Sequence, residues 1–291
     1  LLDNYAYVIV DRSTPPPRPV ALVDPCEPKA VLSALKAISE EDYEGEALQP
    51  VAILTTHKHW DHAGGNVALK RTFPGIAVFG SEADSVAGCT HALRDGDMLT
   101  VGGLVVQAIG TPGHTRGSLT YVLRGPSCSV CFGGDLLFCG GCGAPFEGSA
   151  EQMCHSFAKL WRTCADEHGE ALLFPGHEYT LSILPQYFSG AMPMPDGGPA
   201  YAKLCSMVWR ARELRAQSTP VPTVPLRLSD EVGVNCNFAP LRRAADALVS
   251  AWRLHKLTSA PLESLQPLLA SDSAPRHLDA GFGADLVALE G

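Results

Sequence analysis

Four metal-competent side chains, His57, His59, Asp61 and His62, fall within six residues and follow directly on the apolar run Val51-Ala52-Ile53-Leu54. That run is short, continuous and partly β-branched, so it reads as a buried strand. Side chains alternate along an extended backbone, which lets His57 and His59 point to one side. Ala63-Gly64-Gly65 then permits a sharp bend, where Asp61 and His62 offer a second set of ligands. One metal ion would take the first pair and a neighbouring ion the second. Imidazole with carboxylate suits zinc, iron or manganese better than calcium or magnesium.

A chain of 291 residues is long enough for one large or two smaller domains. Its net charge of −9 argues against a nucleic-acid partner, because phosphate binding needs a basic surface. No apolar run reaches the length of a membrane span. The chain opens on Leu1 rather than Met, which leaves room for a missing leader and keeps both mitochondrial and cytoplasmic locations open. Ten cysteines are many, but their spacing is irregular and several lie in apolar segments. Reduced, buried thiols are therefore expected rather than a disulfide framework. Cys128-x-x-Cys131 followed by Cys139-x-x-Cys142 has the form of a zinc knuckle, although the residues between them have another use.

Periodicity gives a coarse organisation. Asn4–Val10 and Pro19–Val23 read as a strand pair around a proline-rich turn. Pro28 opens a helix with apolar positions Val31, Leu32, Leu35 and Ile38. Ile76–Phe79 is a further short strand, and a helix is weakly indicated between it and His62. From Met98 to Leu123 the pattern is all strand, and Cys128–Phe132 and Leu172–Phe174 add two more. Ser149 with Gln152 starts a helix running to about Cys164. A boundary is expected near residue 180. Beyond it strand signals disappear, and two helical stretches, 199–216 and 239–256, follow. Residues 258–291 carry no legible motif.

Three more ligand candidates sit at strand ends: His114 after Thr111-Pro112-Gly113, Asp135 after Gly133-Gly134, and His177 after Pro175-Gly176. Loops at the ends of a rigid sheet are where convergent polar groups are usually placed. With the first four residues they total five histidines and two aspartates, the inventory of a dinuclear site. Trp60 is expected to pack beside that site.

The ordered set T-H-x-H-x-D-H, T-P-G-H-T, G-D-L-L-F, G-C-G-x-x-x-E-G and P-G-H-E-Y resembles the metallo-β-lactamase superfamily. Within it, the glyoxalase II (hydroxyacylglutathione hydrolase) group is the most similar, on a branch that includes the paroxysmal nonkinesigenic dyskinesia protein. The resemblance covers about residues 3–256. It implies an αββα sandwich over 1–179, a small helical substrate-binding domain over 180–257 and a tail over 258–291. It also implies two divalent metal ions, zinc first with iron or manganese as alternatives. His57, His59 and His114 would hold one ion, Asp61, His62 and His177 the other, and Asp135 would bridge. Asp61 and Asp135 take the catalytic assignment, Asp61 because it would also orient the attacking water. The implied reaction is hydrolysis of a small-molecule thioester, an S-2-hydroxyacylglutathione.

The substrate clamp departs from the family pattern. Ala144 stands where the family has a lysine and Phe146 where it has a tyrosine, whereas Tyr179 keeps its place and Arg242 and Arg243 follow the helical motif. The substrate contacts expected here are therefore Tyr179, Phe146, Arg242 and Arg243. Two rival readings follow from the altered clamp: a hydrolase for another acyl-thiol, or a metalloprotein serving as a subunit of a larger assembly.

Overall fold

The computed structural model describes residues 3–125, 128–164, 171–195, 198–218, 222–240, 277–279 and 284–290. In chain order the elements are β1 (Tyr5–Asp11), β2 (Arg18–Val23), α1 (Pro28–Asp42), β3 (Leu48–Leu54), α2 (Trp60–Ala63), α3 (Asn66–Thr72), β4 (Ala77–Ser81) and β5 (His91–Leu93). They continue with β6 (Met98–Val101), β7 (Leu104–Gly110), β8 (Leu119–Arg124), β9 (Ser129–Gly134), β10 (Leu137–Phe138), β11 (Gly141–Cys142), α4 (Ala150–Cys164) and β12 (Ala171–Pro175). The last are α5 (Thr180–Phe188), α6 (Gly198–Arg215), β13 (Leu226–Arg227), α7 (Leu228–Val234), β14 (His277–Asp279) and β15 (Ala284–Glu290).

Two mixed sheets carry the molecule, ordered β14-β15-β1-β2-β3-β4-β5 and β13-β12-β9-β8-β7-β6. Strand periodicity explains why helices cover both. In β1, Tyr5, Tyr7 and Ile9 face the layer between the sheets, while Val8 and Val10 face outward onto Val31, Leu35 and Ile38 of α1. A strand buried on both faces reads as continuous apolar sequence, as β1 does. The second sheet repeats the arrangement, with Val122, Cys131 and Leu173 turned toward Met153, Phe157 and Leu160 of α4 and toward Leu204 and Leu228. The result is the expected αββα sandwich.

Between the sheets, Tyr7, Phe132 and Phe174 form an aromatic cluster with centroids 5.2–5.3 Å apart. Burying a side chain of that size is worth about 1.5–3 kcal/mol. The Tyr7 hydroxyl donates to the Pro175 carbonyl, so this cluster also fixes the turn leading into His177.

Several expectations need correction. Leu32 is exposed rather than on the buried face of α1. Strands do recur beyond residue 180: β13 pairs with β12 and β15 pairs with β1 in seven-residue register. The segment Ala284–Glu290 reads Ala-Asp-Leu-Val-Ala-Leu-Glu, too poor in β-branched residues to announce a strand. The free edge of β1 supplies the partner that makes it one. The helical stretch expected at 199–216 is α6, whereas most of 239–256 lies outside the described residues. Gly64 and Gly65 have ordinary negative φ, so the bend there needs no special backbone conformation. They are glycines because a Cβ would run into the Trp60 and Pro25 carbonyls. No disulfide joins the cysteines among the described residues, and no metal-competent grouping there contains one. The zinc-knuckle pattern is therefore a coincidence of spacing.

Candidate metal centre

All seven candidate ligands converge at one end of the sandwich. β3 ends at Leu54, and His57 and His59 follow in the loop, with His57 Nε2 3.0 Å from His59 Nδ1. His114, between β7 and β8, brings its Nε2 to 3.0 Å from the same His59 nitrogen. A second group forms beside it. Asp61 and His62 lie on the one-turn helix α2, and His177 follows β12. Asp61 Oδ2 is 3.9 Å from His62 Nε2 and 3.6 Å from His177 Nε2. Asp135, just past β9, stands between the groups. Its Oδ1 is 3.3 Å from His62 Nε2 and 3.4 Å from His177 Nε2, and its Oδ2 is 3.4 Å from His114 Nε2.

These spacings fit divalent cations. Four-coordinate bonds of about 2.0–2.1 Å place neighbouring ligand atoms about 3.3 Å apart. The site also contains two buried atoms without hydrogen bonds, His62 Nε2 and Asp135 Oδ1. A buried polar group left unsatisfied costs about 1–3 kcal/mol, and here two of them face each other. A cation between them would satisfy both.

The outer ring nitrogens are held so that the inner ones face the centre. His114 Nδ1 lies 2.8 Å from the Ala144 carbonyl and His62 Nδ1 2.9 Å from Asp24 Oδ2. His177 Nδ1 is 3.4 Å from Asp3 Oδ1. A carbonyl or carboxylate can only accept, so each of these nitrogens carries the proton and leaves Nε2 as the inward atom. Asp24 also accepts from the Thr56 N–H and hydroxyl. Asn4 Nδ2 donates to the Asp61 carbonyl at 2.9 Å and reaches its carboxylate at 3.5 Å. A Cβ on Gly176 would collide with Asp135 Oδ1 and His62 Cε1, which explains the glycine before His177.

Electrostatics separates the imidazoles. Burial, reinforced by neighbouring imidazoles, pushes His57 well below its usual pKa. Burial likewise lowers His114. His62 is also desolvated, but the Asp135 and Asp24 carboxylates outweigh that and hold it well above the usual range. His177 is raised in the same way by its contact with Asp135. Burial opposes ionisation of Asp135, yet His62 and His177 win and keep its carboxyl well below the ordinary value.

Residues 2–177 match the family model described as the metallo-beta-lactamase superfamily. The chain belongs to that superfamily. Among curated relatives it is similar to the cytoplasmic hydroxyacylglutathione hydrolase of Arabidopsis thaliana, 38% identical over 81% of this chain and 83% of the relative. It is also similar to the hydroxyacylglutathione hydrolase of Gloeobacter violaceus, 37% identical over 85% of this chain and 90% of the relative. These matches put it in the hydroxyacylglutathione hydrolase group. Among solved structures, ETHE1 from Myxococcus xanthus has a TM-score of 0.51 at 28% identity, covering 75% of this chain and 89% of that one. No helix among the described residues is long and apolar enough to cross a membrane. The fold and the His/Asp cluster together make this a divalent-metal site.

Two of the substrate-contact candidates lie at its mouth. The Phe146 ring packs against His114 and His59, with centroids at 5.1 and 6.1 Å, and is 71% exposed. Tyr179 stacks on His177 at 4.6 Å. Burial and the carboxylates Asp3, Asp135 and Asp61 push its hydroxyl up to about 12. Arg242 and Arg243 lie outside the described residues. Trp60, expected to pack beside the site, is instead 69% exposed at the start of α2. Sequence reasoning missed Asp3, Asn4, Asp24 and the Ala144 carbonyl. Asp3 and Asn4 precede β1, and Asp24 follows β2. A single polar residue at a strand end carries no signal until its partner is known.

Proposed function

We propose that this chain is a dinuclear metal-dependent thioester hydrolase acting on S-2-hydroxyacylglutathione, releasing a 2-hydroxy acid and glutathione. The observation that carries the reading is Asp135, whose two oxygens face two separate ligand groups. We assign His57, His59 and His114 to one zinc ion and Asp61, His62 and His177 to the other, with Asp135 shared. Bound metal ions would supply a water acidified toward neutrality and a Lewis acid for the thioester carbonyl.

The remaining work falls to the chain's own groups. Asp135 stays ionised across the working pH range because its neighbours hold its carboxyl down. His57, kept neutral by burial, retains the lone pair that a ligand needs. Asp61, steadied by Asn4, orients the attacking water. The Tyr179 hydroxyl remains protonated and can donate to the substrate at the mouth. Residues 1–179 carry the chemistry in this reading, and 180–257 cover the substrate.

The test is hydrolysis of S-D-lactoylglutathione by the zinc-loaded protein, followed as loss of thioester absorbance. Turnover is expected, and a rate no higher than background would refute the assignment. A second reading, hydrolysis of a different acyl-thiol, is favoured by the exposed apolar ring of Phe146. It predicts a higher kcat/KM for the lactoyl thioester of N-acetylcysteamine, which lacks the carboxylates of glutathione.

A further inference from the structure

Asp84 lies outside every metal-binding motif of the sequence, in the turn after β4, with its side chain fully buried. Both of its oxygens are engaged. Oδ1 accepts from the Gly117 N–H at 3.0 Å and lies 3.8 Å from Lys58 Nζ. Oδ2 accepts from the Lys58 N–H at 3.2 Å and from the Thr115 hydroxyl at 2.8 Å. These donors come from two loops far apart in sequence. Lys58 stands between His57 and His59, and Thr115 directly follows His114.

One carboxylate thus grips both loops that present the first ligand triad. Its hydrogen bonds and ion pair among the described residues go to Lys58, Thr115 and Gly117, not to Asp61, His62 or His177. The surrounding bonds make the grip directional. Ser118 Oγ accepts from the Thr115 N–H at 3.1 Å and lies 2.8 Å from Thr115 Oγ1. With Ser118 donating to Thr115 Oγ1, the threonine hydroxyl proton is free to go to Asp84. Lys58 Nζ also binds Glu147 at 2.6 Å, and Glu147 accepts from the Arg116 N–H at 3.0 Å. A buried carboxylate is stable only while such partners stay in place. Displacing Lys58 or Thr115 would break charge-assisted bonds, which are stronger than neutral ones.

We propose that Asp84 is a positioning residue for the first metal-binding triad, holding His57, His59 and His114 as one unit through Lys58 and Thr115. The proposal rests on the metal-centre reading but not on the substrate. Every group facing Asp84 is a donor, so an amide in its place would turn its NH2 against at least one of them.

The test is zinc binding by chelator competition in the absence of substrate, for the wild type, Asp84→Asn, Thr115→Val and Thr115→Ser. Two zinc equivalents in the wild type support the metal-centre reading itself; none would remove that reading. In Asp84→Asn, one equivalent is expected to weaken about 10–100-fold, the range for loss of a ligand-orienting partner, while the other keeps wild-type affinity. Thr115→Val should weaken the same equivalent, and Thr115→Ser, which keeps the hydroxyl, should restore it. The proposal is overturned if both equivalents bind as in the wild type, or if both weaken equally. Should Asp84→Asn not fold, the threonine pair decides by the same readout.

Discussion

Replacing Glu231 by glutamine should stabilise this protein, and more so as the pH rises. Glu231 lies on α7, fully buried, against the turn between β10 and β11. Its Oε2 accepts from the Gly140 N–H and from Asn235 Nδ2, both at 2.9 Å, whereas Oε1 makes no hydrogen bond. The Cys139 thiol lies beside it, and no cation pairs with it among the described residues. Burial pushes the carboxyl from 4.5 up to about 7. The folded state therefore binds this proton more tightly than the unfolded state does. The stability it contributes is fully present below pH 4.5 and is lost as the pH rises through 7. The gap between those two values corresponds to about 3 kcal/mol in full. Of this, about a quarter is already lost at pH 5 and nearly all by pH 8. Glutamine keeps an acceptor for Gly140 and Asn235 and cannot ionise. The stability difference between Glu231→Gln and wild type should grow by about 2–3 kcal/mol in favour of the variant from pH 5 to pH 8. Urea unfolding of both proteins at the two pH values measures it directly. An advantage that does not change with pH would refute the reasoning, since only ionisation of a buried group produces the slope.

Three other outcomes follow from the site. Zinc uptake at pH 7 should release protons, because Asp135 and Asp24 hold His62 well above its usual pKa and its proton must give way to the metal; calorimetry in buffers of different ionisation enthalpy would show none if that imidazole were already neutral. Affinity should accordingly rise with pH until His62 is deprotonated. Gly65→Ala should destabilise the fold by about 1–3 kcal/mol or more through the clash with Pro25, measurable as a lower midpoint in thermal unfolding. Phe146→Tyr should raise kcat/KM for S-D-lactoylglutathione by about 2–10-fold, the value of one added hydrogen bond; an unchanged constant would mean that the hydroxyl is not what the mouth lacks.

Much of the centre was legible in the chain because its ligands are tied to local structure. His57, His59, Asp61 and His62 follow one strand, and His114, Asp135 and His177 each sit after a strand and a glycine-bearing turn. Those relations span a few residues, so periodicity and turn chemistry expose them. Individual strands were legible for the same reason, since strands buried on two faces read as apolar runs, whereas the αββα layering came from the resemblance of the motifs to a known family.

What holds the ligands still was not legible. Asp24 reaches His62 across 38 residues and Asp84 reaches Thr115 across 31. Nothing local distinguishes either aspartate from a solvated one. β15 has the same character, because it becomes a strand only against the edge of β1, at the other end of the chain. The sequence by itself determined which side chains could bind metal and at which strand ends they stand, because short-range geometry is encoded in spacing. Tertiary structure alone decided which carboxylates would orient them, because a buried charge takes its role from whichever donors the fold brings to it.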